Sequence, residues 1–228
     1  MSSATDGQAN PQKATLAYAK AARRHGARIL TGVRVNSLLV ERGRVLGVSS
    51  DEGDFRAGTV LVAAGLGTPP LVRPVGLEIR VDPWLHQPLV TARAPRVTYP
   101  YVRVTGPRVG FGQTAEGTVI FGLGPPQDIG FVNSLSWDRI SHAFKEMVRL
   151  VPMLRNTRVV RAYTGWFEVS PDDLPIMGPV EGVEGLIVAA GFSGHGFAMG
   201  PAIGWLLSEL ILEGKTSIPI DGFRPSRF

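Results

Sequence analysis

The sequence predicts an α/β fold in two parts, an α/β layer interrupted by a mostly antiparallel β insert. Two continuous apolar runs lie far apart in the chain, "TVLVAAG" and "GLIVAAG". Such runs are typical of strands covered on both faces, and the two most simply lie in one sheet. Between them the chain becomes β-rich, with glycine or proline separating short strands. We therefore expect residues 1–75 and 170–228 to form the layer and residues 76–169 the insert.

The first part of the layer begins with a helix over residues 11–26. Apolar residues recur there at helical spacing, and Gly26 provides a C-terminal stop. The small residues on one face predict close packing against a flat partner such as a sheet. "VRVNSLLVE" and "RVLGVSSD" follow as two strands, and the "RG" between them indicates a hairpin. The buried strand "TVLVAAG" comes next.

The insert is predicted as antiparallel strands with one helix. "VTYPYVRV", "RVGFGQ" and "TVIFG" are neighbouring strands, and "RVVRAYTGWF" is one further strand. Ser136 is the expected N-cap of the helix, and Pro152 follows its end. The apolar residues predicted on its inner face are Trp137, Ile140, Phe144, Val148 and Val151.

The last part of the chain is predicted as a turn-rich segment, a buried strand, a glycine loop and a helix. "SPDDLPIMGPV" is the turn-rich segment and "GLIVAAG" the strand. The helix is expected to begin at Pro201, where a missing N–H costs nothing, and to reach Glu213. Its inward residues are Ile203, Leu206, Leu207 and Leu210.

The loop "GFSGHGFAMGP" has two interpretations. Its glycines allow tight turns and close packing of the chain. Alternatively, bare backbone contacts a flat or anionic ligand, and the N–H groups at the start of the helix favour negative charge. The loop lacks the GK[ST] of a Walker sequence, and no GxGxxG follows a predicted strand.

Composition excludes several classes of protein. The 228 residues contain no cysteine, which rules out disulfides and thiolate chemistry, and the four scattered histidines make a metal site unexpected. The net charge of +5 comes from dispersed Lys and Arg, so we expect no nucleic-acid partner. No apolar stretch reaches the roughly 18 residues of a membrane span. We expect a soluble, cytoplasmic protein.

The segments "GWFEVSPDDLPIMGPV" and "GLIVAAGFSGHGFAMGPAIGWLLSELI" resemble the C-terminal half of FAD-dependent amino-acid and amine oxidoreductases of the D-amino-acid oxidase superfamily. The similarity is greatest to the branch with sarcosine oxidase beta subunits, dimethylglycine dehydrogenases and proline dehydrogenases. "DGQANPQKATLAYAKAARRHGARI" and "VLVAAGLGTP" agree with it. The resemblance implies FAD as cofactor and hydride transfer from a small amine, amino acid or imino acid.

The resemblance also implies which residues hold FAD. The glycine loop and its helix lie beside the flavin ring in this family, and the helix dipole stabilises the reduced flavin. His195 is the one candidate catalytic residue, with a loop histidine satisfied by backbone as the alternative. Without cysteine, FAD cannot be attached through a cysteinyl thioether. The implied cofactor-binding residues are Val33, Val35, Ala64, Gly65, Gly191, Gly194, His195, Gly196 and Phe197.

The sequence departs from the family pattern at the substrate site. Related glycine oxidases carry an arginine for the substrate carboxylate within the segment aligned with "GWFE", and Phe167 stands at that position here. Arg103 and Arg161 are possible substitutes, with ordinary surface arginines as the alternative for each. Tyr99 and Tyr101 are further candidates, with core or rim packing as their alternative.

The sequence departs from the family a second time because it lacks the GxGxxG unit with which the family begins. We expect an incomplete FAD-binding layer, from a subunit, fragment or truncated product, that needs a chain or segment supplying that unit. Its apolar strands would otherwise keep unpaired edges. The alternative function is a non-catalytic subunit or remnant that acts as a binding or assembly module.

Overall fold

The computed structural model describes residues 7–104, 109–123 and 135–228. The chain divides into two compact units. One contains residues up to Tyr18 together with Trp84–Trp166, and the other contains Ala19–Pro83 and Phe167–Phe228. The assignment of a cofactor role to one part and a substrate role to the other stays a prediction.

The elements are numbered in chain order. The helices are α1 Pro11–Arg24, α2 Thr68–Val72, α3 Trp137–Leu150 and α4 Gly196–Glu213. The strands are β1 Val35–Glu41, β2 Arg44–Ser50, β3 Gly53–Arg56, β4 Val60–Val62, β5 Asp82–His86, β6 Leu89–Arg93, β7 Val102–Val104, β8 Val109–Gln113, β9 Thr118–Leu123, β10 Val159–Ala162, β11 Gly165–Val169, β12 Ile176–Pro179 and β13 Leu186–Ala190. None of the helices in these described ranges has the length and apolarity to cross a membrane.

The unit of Ala19–Pro83 and Phe167–Phe228 contains the predicted sheet of two distant buried strands. β4 and β13 pair in parallel, with Leu186 opposite Val60 and Val188 opposite Val62, which confirms the prediction. Successive residues of β13 alternate between two hydrophobic clusters, since Val188 belongs to one and Ile187 to the other. The strand is therefore covered on both faces, and its apolar run reflects that burial.

The same sheet contains β12, which the sequence analysis placed in a turn. β12 pairs antiparallel with β13, so that the sheet order is β12-β13-β4. The prediction was wrong for Ile176–Pro179 because flanking prolines at positions 175 and 179 look like turn residues, although each can border a short strand.

The second sheet of this unit is the predicted hairpin with one extra strand. Arg42 and Gly43 have φ values of 50° and 75°, as a two-residue hairpin turn requires. β3 pairs with β2 and completes the order β1-β2-β3, an addition the sequence analysis missed.

The first helix forms where predicted but does not pack as predicted. None of the residues of α1 is buried in the described part of the chain, and Leu16 and Tyr18 are exposed. Ala14, Ala19 and Ala22 are partly buried, so the small-residue face makes some contact, but the close packing against a sheet that we expected is not seen among the described residues.

The other unit contains the predicted antiparallel insert. Its five strands follow the order β10-β6-β9-β8-β7, and every neighbouring pair is antiparallel. One face packs on α3, whose Met147 joins Phe111 and Phe121 in a single core cluster. Ser136 caps α3 by accepting a hydrogen bond from the Arg139 N–H, as predicted.

Two predictions within this unit are wrong in detail. Trp137 is 76% exposed, because the buried stripe of α3 is centred on Ala143 and Met147 and the first turn lies beyond it. The segment "RVVRAYTGWF" is two strands, since β10 pairs with β6 whereas β11 pairs with β5. The chain changes sheets after Ala162, which the apolar pattern does not reveal.

The buried side chain of Gln113, at the end of β8, bonds the backbone that follows β6 and the backbone that precedes β9. The Gln113 amide nitrogen donates to the carbonyl oxygens of Ala94, Pro95 and Gly117 at 3.1, 3.0 and 2.9 Å. Its amide oxygen accepts the N–H of Val97 at 2.8 Å. Gln113 is only 4% exposed, so its partners have little access to water if it is removed.

We expect Gln113→Leu to lower the free energy of unfolding by about 2–4 kcal/mol, because buried backbone groups lose their partner. Urea unfolding of the 228-residue chain measures the change. Gln8→Leu is the control, since Gln8 is exposed and donates one hydrogen bond to the Tyr99 carbonyl. Equal effects of the two substitutions would contradict the prediction.

Candidate functional site

The glycine loop leaves β13 through three residues with left-handed backbone. Gly191, Ser193 and Gly194 have φ values of 66°, 51° and 81°. His195 is the N-cap residue of α4, which begins at Gly196. The predicted start at Pro201 is wrong, because residues 196–200 already form the first turn and Pro201 lies inside the helix.

The loop is held by the end of β11. The Ser193 N–H donates to the Glu168 carbonyl at 3.1 Å, and the Ser193 hydroxyl accepts the Ser170 N–H at 3.1 Å. His195 N–H closes the turn on the Phe192 carbonyl at 2.8 Å. These bonds fix Ser193 in a conformation that a non-glycine residue seldom adopts.

The side chain of Glu168 lies between this loop and the segment that follows β4. Its carboxyl group lies near the backbone N–H groups of Phe192 and Gly191, which favour its charged form. A β-carbon at Gly65 would lie 3.3 Å from Glu168 Oε2. Burial raises the pKa of Glu168, and the two amides offset part of that increase. Glu168 was not among the predicted site residues, because a single glutamate within a strand belongs to no recognisable sequence motif.

Of the two interpretations of the loop, close packing of the chain accounts for glycine at position 196. A β-carbon there would lie 2.9 Å from Phe192 Cβ, closer than real side chains approach one another. The contact is within the chain itself, so packing already requires glycine at this position. By contrast, a β-carbon at Gly194 would meet only the Phe167 ring, at an ordinary 3.7 Å.

The structure therefore brings together several of the predicted cofactor and substrate residues in this unit. Gly65 and Gly191 contact Glu168, and Gly194 lies beside Phe167. His195 and Phe197 are exposed, and the His195 side chain makes no capping hydrogen bond to α4.

The remaining predicted cofactor residues lie elsewhere in the unit. Val33 precedes β1 and Val35 begins it, in a different sheet from β4 and β13. Ala64 is exposed directly before Gly65. No cluster of three or more side chains suited to a metal ion occurs within residues 7–104, 109–123 and 135–228.

The other unit places three predicted substrate residues on one sheet face. Arg103 stands opposite Gly110, and Arg161 stands opposite Val90. The Tyr101 ring lies over β8, where a β-carbon at Gly110 would collide with its hydroxyl. This face is opposite to the one that packs on α3, because alternate residues such as Phe111 enter the core with α3.

Tyr101 and Tyr99 differ in their surroundings. Burial raises the pKa of Tyr101, and the nearby charge of Arg103 offsets part of the increase. Tyr99 is 82% exposed and lies outside the strands, with the Arg96 guanidinium 5.3 Å from its ring centroid. Tyr101 and Arg103 lie next to each other at β7, whereas Arg161 is on β10 at the opposite edge of the same sheet, so a shared face does not bring all three together.

Comparison with known proteins establishes the family. The model of the DAO family, described as FAD dependent oxidoreductase, matches residues 1–210. The chain belongs to this family. FAD is its cofactor at the level of the family, and the predicted resemblance is confirmed.

Two curated relatives are longer than this chain. It is 33% identical over 225 residues to hydrogen cyanide synthase subunit HcnC of Pseudomonas protegens, covering 98% of the chain and 53% of the relative. It is 28% identical to the mitochondrial dimethylglycine dehydrogenase of Mus musculus, covering 98% of the chain and 28% of the relative. The chain spans about half the length, or less, of these relatives.

Solved structures share the fold. L-proline dehydrogenase from P. horikoshii superposes with a TM-score of 0.88 at 30% identity, covering 96% of this chain and 60% of that one. Glycine oxidase from Geobacillus kaustophilus gives a TM-score of 0.85 at 22% identity, covering 94% and 57%. The mixed α/β fold with antiparallel content is thus that of DAO flavoenzymes.

We expect Gly196→Ala to lower the free energy of unfolding by about 1–3 kcal/mol, because its β-carbon crowds Phe192. Gly200→Ala is the matched control in the same helix, since a β-carbon at Gly200 would meet no described atom within 4 Å. That substitution is expected to stabilise the chain by up to about 1 kcal/mol. Urea unfolding measures both, and equal effects would show that the contact with Phe192 does not decide residue 196.

Proposed function

We propose that this chain forms the substrate-domain-bearing part of a flavin-dependent oxidoreductase that oxidises a small amine, amino acid or imino acid. The observation that carries the proposal is the loop at the start of α4, in a chain of the DAO family. Its backbone is left-handed at Gly191, Ser193 and Gly194. FAD, when bound, supplies the acceptor for the hydride removed from the carbon beside the substrate nitrogen. The chain's own residues bind and orient the cofactor and the substrate.

The residues around the loop fit a flat, polar cofactor. Gly194 presents backbone without a side chain, and α4 begins close behind it with the N–H groups that a helix start leaves without intrahelical partners. Gly191 is buried, and a β-carbon there would lie 3.2 Å from Ser170 Cβ, so its contact with the cofactor rests on its place in the loop. Glu168 Oε2 is buried and has no hydrogen-bond partner among the described residues, as expected of an acceptor that a ligand completes. We propose Gly65, Gly191, Gly194, His195 and Phe197 as contacts of FAD.

The other predicted contacts of FAD follow from the family resemblance or from their place in the loop. Val33, Val35 and Ala64 are assigned to the adenine or diphosphate side through the family resemblance. Gly196 is required by Phe192 whether or not FAD is present, so its contact with the cofactor rests on its place in the loop.

The face of the five-stranded sheet that lies opposite to α3 is the proposed substrate surface. Arg103 offers a guanidinium for a substrate carboxylate, and the adjacent Tyr101 ring covers the bare strand β8. Arg161 is a weaker candidate, because its guanidinium lies 5.9 Å from the ring centroid of Tyr163. Phe167 would offer apolar contact in place of a charged anchor.

The proposed enzyme also requires a GxGxxG unit, from another segment or chain. β4 is an edge strand of its sheet in the described part of the chain, and Leu61 is 39% exposed. Such an edge offers backbone hydrogen bonds to one more strand. Because the chain contains no cysteine, any covalent attachment of FAD to it would use another residue type.

An absorbance spectrum of the protein purified from its native host tests the proposal. We expect flavin bands with the protein that co-purifies with a GxGxxG segment, and weak or no flavin binding by the 228-residue chain alone. A flavin-free native protein would favour the binding or assembly module instead. Full flavin occupancy in the isolated chain, as a monomer, would contradict the need for a second segment.

We expect Arg103→Gln in the flavin-loaded enzyme to raise KM for an amino-acid substrate by roughly 10- to 100-fold, because a charge-assisted hydrogen bond to the carboxylate is lost. Steady-state kinetics measure the change. Arg149→Gln is the matched control, since Arg149 forms an exposed ion pair with Glu146 on α3. An unchanged KM for Arg103→Gln would assign Arg103 to the ordinary surface.

We expect His195→Ala to retain flavin but slow its reduction by substrate by roughly 10- to 1,000-fold, through loss of one positioned polar group. Stopped-flow absorbance measures the rate. The control is His142→Ala, which alters an exposed histidine on α3. Unchanged reduction in His195→Ala would remove His195 from the reaction.

A further inference from the structure

The guanidinium group of Arg227 is bound entirely by the chain itself. Its Nε and Nη2 atoms donate to the two carboxylate oxygens of Asp172, each at 3.0 Å. Nη2 also donates to the Leu174 carbonyl at 2.8 Å. Nη1 donates to the carbonyls of Phe223 and Arg224 at 3.0 and 3.4 Å. These bonds are as many as the five N–H groups of an arginine, and the side chain is only 15% exposed.

The segment that carries Arg227 is itself anchored. Phe223 packs against the hydrophobic cluster formed by β13 and α4. Pro225 is buried, and the Ser226 hydroxyl donates to the Glu181 carboxylate at 2.8 Å. The guanidinium group is therefore presented from a fixed support.

The group that Arg227 holds is the turn that follows β11. The Ser170 hydroxyl donates to the Leu174 carbonyl at 2.7 Å, the same oxygen that accepts from Arg227. The Leu174 N–H donates to Asp172 Oδ1 at 3.1 Å. Asp173, between them, has a φ of 60°, which is left-handed. A non-glycine residue keeps this conformation only where its surroundings hold it.

The same turn is bonded to the glycine loop. The Ser170 and Ser193 hydroxyl groups bond each other at 3.1 Å, and the Ser193 hydroxyl accepts the Ser170 N–H at 3.1 Å. The described residues include three non-glycine residues with positive φ, and two of them, Asp173 and Ser193, lie on these linked turns. Such conformations accumulate at functional sites. A continuous run of hydrogen bonds thus leads from Arg227 to the loop.

We propose that Arg227 is a positioning residue, which holds the turn after β11 and, through Ser170, fixes Ser193 in the glycine loop. The planar fork suits this role, because two parallel bonds set the orientation of the Asp172 carboxylate. All of these residues belong to one compact unit. The proposal rests on the proposed function only in identifying the loop as a contact of the flavin.

Amide hydrogen exchange in the protein purified from its native host tests the proposal. Arg227→Gln removes the charge and the fork. Exchange should become about 10- to 100-fold faster at Leu174, whose N–H donates to Asp172, and about 3- to 30-fold faster at Ser193. Exchange within β13 reports unfolding of the whole unit and should stay unchanged.

Arg227→Lys separates the fork from the charge. A lysine keeps the positive charge but cannot donate two parallel hydrogen bonds from a planar group. Exchange at Leu174 should therefore remain about 3-fold or more faster than in the natural protein. Full protection in Arg227→Lys would show that charge alone holds the turn, and would overturn the assignment to the fork. This variant decides the matter if Arg227→Gln does not fold.

Arg224→Gln is the matched control on the same segment. The Arg224 side chain forms an exposed ion pair with Asp221, so its removal should leave exchange at the turn and the loop unchanged. Acceleration in this control, or equal acceleration within β13 in Arg227→Gln, would assign Arg227 a general structural role and overturn the proposal. Acceleration at Leu174 with no change at Ser193 would also overturn it, because the turn would not control the loop.

A spectroscopic measurement connects the loop to the cofactor. In the flavin-loaded protein, the visible circular dichroism of the flavin should change in Arg227→Gln and not in Arg224→Gln, since a displaced loop alters the surroundings of the ring. An unchanged spectrum in Arg227→Gln would overturn the effect on the cofactor. A native protein without flavin would refute the proposed function, whereas exchange at Ser193 requires no flavin and would still decide the role of Arg227.

Discussion

The parallel pairing of β4 with β13 is the constraint on which the candidate site depends. In a parallel pair the carboxyl ends of both strands reach the same edge of the sheet. The segment with Gly65 and the loop from Gly191 therefore emerge side by side, although well over a hundred residues of chain separate them. Burial of both faces of β13 fixes the register, because a slip of one residue would exchange the contents of two hydrophobic clusters.

Once the two strand ends are adjacent, the polar groups of the loop must be satisfied locally. The Ser170 and Ser193 hydroxyl groups bond each other, and the Ser193 hydroxyl also accepts the Ser170 N–H. The result is a loop with bare backbone at Gly194 and a firm attachment to β11. The glycines of the loop differ in what a side chain would meet. A β-carbon at Gly196 would crowd Phe192, whereas one at Gly194 would make only an ordinary contact with Phe167.

The two faces of the five-stranded sheet carry different kinds of residue. Alternate residues of β8 and β9 carry Phe111 and Phe121 into the core under α3. The opposite positions include Gly110 and Gly112, over which the Tyr101 ring lies. The Gln8 side chain also lies against Gly112, so β8 is covered on this face as well. Because the Tyr101 ring packs against β8, its hydroxyl is partly buried, and this burial raises the pKa of Tyr101.

Local pattern was sufficient for much of the fold. Helical spacing and an N-cap serine predicted α3, "RG" predicted the hairpin of β1 and β2, and two apolar runs predicted β4 and β13. These features depend on residues close in sequence or on burial of a whole strand, both of which the sequence records. The same patterns, with the motifs around the glycine loop, identified the family.

Tertiary structure decided the features that depend on partners distant in the chain. β12 is a strand because β13 pairs with it, and the start of α4 is set by how Phe192 and Gly196 pack. The Glu168 side chain reaches Gly65, and its carbonyl binds the Ser193 N–H, only because folding places β11 beside the loop. A carboxylate in a strand has no sequence signal for this, because the groups around it come from distant parts of the chain.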